Sequence, residues 1–155
     1  MNFVTLMGGL AELTGLPDLS AVAGGTVELE IDGMRLTVVD LSEAGAVAVT
    51  AEVGEIPQER ADRFYRALLL AMHPGGPAAD CVFSIDPEAG RVHLRRTDSL
   101  ADLTVESFAE KIEVFVSVLE EWQRLALDFR DYSARQPSEE PVPDEPFPGS
   151  GFMAV

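Results

Sequence analysis

An α+β fold is what this sequence predicts, in the order α-β-β-β-α-β-β-α: a twisted antiparallel sheet packed with three helices, paired as a homodimer. Three observations carry the prediction. The segments TVELEIDGMRLTVVD and CVFSIDPEAGRVHLRR alternate apolar and polar residues around central turn signals, the pattern of two hairpins. Three other segments repeat apolar residues at spacings of three and four, the period of helices with one buried face. Within the second of these, ALLLAM is apolar on every side, so one sheet face cannot cover it and a second copy of the same helix is the simplest cover.

The chain opens with Phe3, Leu6, Met7, Leu10 and Leu13 at helical spacing behind Asn2, a capping residue, and this helix should stop near Gly15 and Pro17. Gly8 and Gly9 lie inside it, each costing about 1 kcal/mol against Ala unless it serves close approach to a neighbour. Residues 26–40 then form a hairpin, because Asp32-Gly33 suits a two-residue turn with positive φ. That turn sets Ile31 opposite Met34, Leu29 opposite Leu36, Val27 opposite Val38 and Glu30 opposite Arg35. Residues 46–53 continue as a third strand with Val47, Val49, Ala51 and Val53 on one side. Pro57 suits a first helical turn, and Ala61, Phe64, Tyr65, Leu68, Ala71 and Met72 follow as the second helix. A second hairpin sets Ile85 opposite Val92 and Phe83 opposite Leu94, with Cys81 on the same face. A third helix, about 104–129, carries Val105, Phe108, Ile112, Phe115, Leu119, Trp122, Ala126 and Phe129 inward and Glu106, Glu110, Glu113 and Glu120 outward. Residues 1–132 read as one domain. Residues 133–155 are rich in proline and acid without periodicity, the composition of a solvated tail, in which Phe147 and Phe152 form at most a short recognition motif.

Composition narrows the partners. The chain has 27 acidic against 11 basic side chains and a net charge of -16, which repels phosphate backbones and anionic lipid heads, so neither nucleic acid nor membrane insertion is expected. The first positive side chain is Arg35, so a secretory n-region is not expected, and one cysteine fits a reducing cytoplasm. Catalysis finds little support. His73 and Cys81 flank the Gly75-Gly76 pair in RALLLAMHPGGPAADCVFSID, but the stretch reads as a joint, since Pro74 ends the helix before it. Cys81 begins a strand on the apolar face after a helix C-terminus, where nothing lowers its pKa. His93 falls opposite Ser84 on a polar face. Neither histidine has a partner at a catalytic or metal-binding spacing, and the metal, nucleophile and phosphate motifs are missing. No enzyme, cofactor or metal is expected.

The opening FVTLMGGLAELTGLPDL, the hairpin IDGMRLTV, EIPQERADRFYRALLLAM with its Gly-containing bend, FSIDPEAGRVHLRR and the closing FAEKIEVFVSVLEEW together resemble the class I chaperones of type III secretion, the Tir-chaperone (CesT-like) family, from Phe3 to Arg130. The resemblance implies an ATP-independent bacterial cytoplasmic chaperone. It implies a homodimer closed largely through the second helix, with Phe64, Leu68, Leu69, Leu70 and Met72 at the interface. It implies a client, the N-terminal segment of a secreted effector, held extended by Phe3, Leu6, Met7, Leu10 and Leu13 of the first helix and by Val27 and Leu29, with strand addition at a sheet edge. Binding by apolar burial would change little between low and moderate salt. The alternative is a small dimeric regulatory module outside secretion, binding a peptide or a folded protein.

Overall fold

A computed structural model describes residues 1–16 and 25–135, the side chains of 130–135 excepted. Helix α1 (Phe3–Thr14) begins at Asn2, whose Oδ1 accepts the Thr5 N–H at 2.8 Å, and ends on Gly15 in the left-handed region. Strands β1 (Thr26–Ile31), β2 (Met34–Leu41) and β3 (Ala46–Glu55) follow, then α2 (Ala61–Ala71), β4 (Val82–Asp86), β5 (Arg91–Ser99) and α3 (Val105–Arg135). All strands pair antiparallel in the order β1-β2-β3-β5-β4, so β1 and β4 are the edges. The element order and the α+β class are those the sequence predicts.

Both hairpins have the expected registers, Val27↔Val38, Leu29↔Leu36 and Ile31↔Met34 in the first, Phe83↔Leu94 and Ile85↔Val92 in the second. The first is set by Asp32 and Gly33, both at positive φ (51° and 78°), the twist that suits a two-residue connection. One face of the sheet is apolar through Val27, Leu29, Leu36, Val38, Val49, Ala51 and Leu94, all buried. On it lies the stripe Phe108, Ile112, Phe115, Leu119, Trp122 and Ala126 of α3. Phe83 meets Trp122 edge to face at 4.9 Å, and Phe64 of α2 meets Phe129 of α3 at 5.4 Å, both holding the C-terminal half of the long helix.

Two boundaries differ from expectation. Pro57 lies before α2 rather than in its first turn, because Arg60 takes a left-handed conformation (φ 57°) and the helix starts only at Ala61. Helix α3 extends to Arg135, past the boundary at 132, and the rest of the expected tail, including Phe147 and Phe152, lies outside the described residues, as does Pro17.

The two glycines of α1 have different reasons. A Cβ on Gly9 would stand 2.5 Å from Cγ2 of Val105, so α1 and the start of α3 touch there through bare backbone, whereas a Cβ on Gly8 would meet nothing within 4 Å. Gly8→Ala should therefore raise stability by about 0.5–1 kcal/mol through helix propensity alone. Gly9→Ala should forfeit that gain and lower stability, because the stiff Val105 side chain must move. Urea denaturation of the two variants checks this, and equal stabilisation by both would show that the contact is slack.

Candidate functional site

Helix α1, the end of β1 and the first half of α3 enclose a groove of about 570 Å³. Its floor is Leu10, Leu16, Ile31, Ala109, Ile112 and Val116, and its rim includes Glu30, Asp32, Glu113 and Glu120. The chemistry follows from the elements. Ile112 and Val116 are one helical turn apart on α3, and Leu10 stands on the buried side of α1. Ile31 ends an edge strand and is only partly covered, so β1 offers the groove both an apolar side chain and strand backbone. Such a concavity, apolar with a few charged groups at its mouth, has the make-up of a ligand-binding cleft.

A second surface is convex. On α2, Leu68 and Ala71 point into the core while Leu69 and Leu70 are 67% and 63% exposed. The last turn of α2 runs beside the outer edge of β4, since the Phe83 N–H donates to Sδ of Met72 at 3.2 Å. Val82, on that edge strand, is 56% exposed. Exposed leucine pairs beside an edge strand are the features of an association surface.

The site residues expected from the sequence divide by burial. Phe3, Leu6, Met7 and Leu10 of α1 and Val27 and Leu29 of β1 are buried in the protomer's own core, so a client reaches none of them without opening the fold, Leu10 alone bordering the groove. Leu13 is 54% exposed. At the expected interface Phe64 and Leu68 are likewise core residues, Met72 is half-buried at the seam with β4, and Leu69 and Leu70 alone face outward. The groove residues Leu16, Ile31, Ile112 and Val116 were not singled out as client contacts. Ile31 and Ile112 carried a signal only as core-facing positions of a strand and a helix, and Leu16 and Val116 were assigned to neither.

The joint between α2 and β4 is held by charge. Arg96 and Asp98 alternate along β5 with Leu94, which places them on the core side, and Asp98 accepts from Arg96 Nε at 2.8 Å and Lys111 Nζ at 2.7 Å. Arg96 Nη1 also donates to the carbonyl of Ala79 at 3.1 Å. Ala79 and Asp80 both have positive φ (49° and 65°), a conformation that costs non-glycine residues about 1–3 kcal/mol each and needs such a tether. Burial pushes the Asp98 carboxyl up, but the hydrogen bonds and charges of Arg96 and Lys111 outweigh it and hold the group below the ordinary value. Next to this cluster Cys81 is buried, and burial, only partly opposed by Arg96, raises its thiol pKa, the reverse of what a nucleophile needs. His73 is exposed with Nδ1 3.0 Å from the Pro74 carbonyl oxygen. Among the described residues no group of histidine, cysteine and carboxylate side chains can hold a metal ion, and no helix is long and apolar enough to cross a membrane.

Residues 5–123 match the Tir chaperone protein (CesT) family. The chain belongs to that family. No curated protein matches it. Among solved structures it is similar to a chain of the ExsC–ExsE complex, 26% identical with a TM-score of 0.67 over 81% of this chain and 97% of that one. It also shares its fold with a chain of the HopA1–SchA chaperone–effector complex (19%, TM-score 0.59, 82% and 91% covered). A third likeness is to the heterodimeric ExoU–SpcU complex from the type III secretion system of Pseudomonas aeruginosa (19%, TM-score 0.61, 79% and 95% covered). The CesT family fold thus accounts for the element order on which the groove and the α2–β4 surface lie.

Two measurements check the joint. Asp98→Asn should cost about 2 kcal/mol, since it leaves Arg96 and Lys111 half-buried without their shared counter-ion. Because the folded carboxyl titrates below its unfolded value, its stabilisation is present above the ordinary carboxylate pKa and is lost as the pH falls through the folded value, so Asp98→Asn should also flatten the acid limb of the stability curve. Independently, Cys81 should react with iodoacetamide at neutral pH far more slowly in the native protein than after denaturation. Rapid native labelling would show an activated thiol.

Proposed function

We propose that this protein is an ATP-independent cytoplasmic chaperone of type III secretion that holds the N-terminal segment of an effector in extended form, keeping it soluble and ready for export. The observation that carries this is the apolar groove between α1, β1 and α3, on a chain of the CesT family. Two of the similar structures, HopA1–SchA and ExoU–SpcU, are complexes between two different proteins, the first described as chaperone and effector. An extended client supplies apolar side chains to the groove floor and main-chain hydrogen bonds to the β1 edge, and a long contact offsets the entropy of ordering it. Nothing in this work needs a reacting group, which agrees with a Cys81 buried and raised in pKa. The protein acts by binding, not by catalysis.

The active form is a homodimer joined through the outward side of α2, with Leu69 and Leu70 in the contact and Met72 and Val82 beside it. The support is their exposure in the single chain, and pairing two copies removes four leucines from water at about 1.5–3 kcal/mol for each fully buried side chain.

Ile31→Glu puts a charge on the groove floor at a partly exposed position and should weaken binding of a co-encoded effector's N-terminal fragment at least tenfold by titration, with circular dichroism unchanged, at about 1.4 kcal/mol per tenfold. Unaltered binding by a folded variant removes the groove from the mechanism. For the dimer, sedimentation of the native protein at micromolar concentration should give two copies, and Leu69→Asp or Leu70→Asp should give folded monomers, since neither leucine serves the protomer core. A native monomer contradicts the interface.

A further inference from the structure

The groove is edged by the acidic residues Glu30, Asp32, Glu113 and Glu120, and among the described residues no lysine or arginine lines it. Among the described residues none of the four is joined to a cation by an ion pair. The nearest cations by element are Arg35, across the β1–β2 ladder from Glu30, and Arg124, one turn beyond Glu120 on α3, and both stand outside the groove lining. The mouth of an apolar groove is thus edged by four acidic residues, of which Glu30 has Arg35 across the ladder and Glu120 has Arg124 one turn on, so acid exceeds base around the opening.

Resting on the chaperone reading, we propose that the groove is selective for one chemical class of client: an extended apolar segment flanked by lysine or arginine. Each element of the site contributes. The floor of Leu16, Ile31, Ile112 and Val116 takes apolar side chains. The carboxylates on β1 and its turn meet cations at one end of the segment, and those on α3 meet cations along one side, where favourable pairs at the rim of a low-dielectric surface set on-rate and register. An acidic segment meets the same field as repulsion.

That repulsion also decides against one occupant within the chain. Residues 136–155 contain Phe147 and Phe152, apolar enough to compete for the floor, but they carry Glu139, Glu140, Asp144 and Glu145 and no lysine or arginine. A segment of that composition meets the rim as repulsion, whereas a cationic partner does not. Binding will therefore depend on salt, in place of the indifference expected from apolar burial alone.

The test uses the full-length protein and fluorescence anisotropy with three labelled synthetic peptides. They share one alternating Val/Leu core and differ only in flanks of Lys-Arg, Ser or Asp-Glu. The cationic peptide should bind about three- to thirtyfold tighter than the serine one at about 0.02 M ionic strength, and the gap should close to about twofold at about 0.5 M. The acidic peptide, and a peptide of residues 136–155, should bind most weakly. The preference should vanish in a variant combining Glu30→Gln, Asp32→Asn, Glu113→Gln and Glu120→Gln. It should survive in a control combining Glu43→Gln, Glu88→Gln, Glu106→Gln and Asp128→Asn, which removes the same charge elsewhere. Equal binding by all three peptides, or a preference lost in both variants alike, overturns the selectivity while leaving the groove as a client site. Binding of the 136–155 peptide on a par with the cationic one also overturns it. Failure of every peptide to bind overturns the groove itself as a site for extended segments.

Discussion

Five antiparallel strands with one apolar face cannot stand in water, and the contact that resolves this is the stripe of α3 laid across them. Phe108, Phe115, Leu119 and Trp122 are buried there, and truncation of one such aromatic typically costs about 3–5 kcal/mol, a large part of a domain's whole stability. The helix must also be long, because it reaches from the Gly9 contact at one end to Phe64 at the other. Trp122 shows how strongly packing dominates: its indole N–H is buried without an acceptor among the described residues, yet the ring stays for its contact with Phe83.

Once α3 occupies the sheet, the other two helices can each cover only part of what remains, and the exposed apolar surface is what they leave. Helix α1 meets α3 closely at Gly9, and the groove lies between Leu10, Thr14 and Leu16 on one side and Ile112 and Val116 of α3 on the other, with Ile31 also in its lining. Helix α2 turns Phe64, Leu68 and Ala71 inward, so Leu69 and Leu70 must face out. The Arg96–Asp98–Lys111 cluster then fixes the joint behind α2 by holding the Ala79 carbonyl, which keeps that outward face beside the edge of β4. The groove and the exposed leucine face are thus two consequences of one packing solution, on different elements.

Much of this was legible in the residues. Asp32-Gly33 dictated the first hairpin down to its register, alternation gave the faces of all five strands, and the spacing of Phe108 to Ala126 gave α3. Periodicity names the side of a helix that seeks cover, however, and not what covers it. Phe3, Leu6 and Met7 formed an apolar face that fitted a client wall equally well, and only the tertiary arrangement gives them to the core. The reverse holds for Leu69 and Leu70, whose exposure was visible because a helix apolar on all sides exceeds what one sheet can bury. The late start of α2 had no sequence signal, since a left-handed Arg60 breaks the pattern that Pro57 suggests. The carboxylate rim was hidden for a different reason: in a chain of net charge -16 four more acids are unremarkable until folding gathers residues 30, 32, 113 and 120 around one opening.

The central claim is that the groove between α1, β1 and α3 is where a client segment lies. Methyl spectra of the selectively labelled protein, recorded while an effector's N-terminal fragment is titrated in, address it at single residues. The account predicts shifts concentrated at Leu16, Ile31, Ile112 and Val116, with Leu69 and Leu70 unmoved. Shifts confined to Leu69, Leu70 and Val82 would contradict it, because they would place the client on the surface assigned to the second copy.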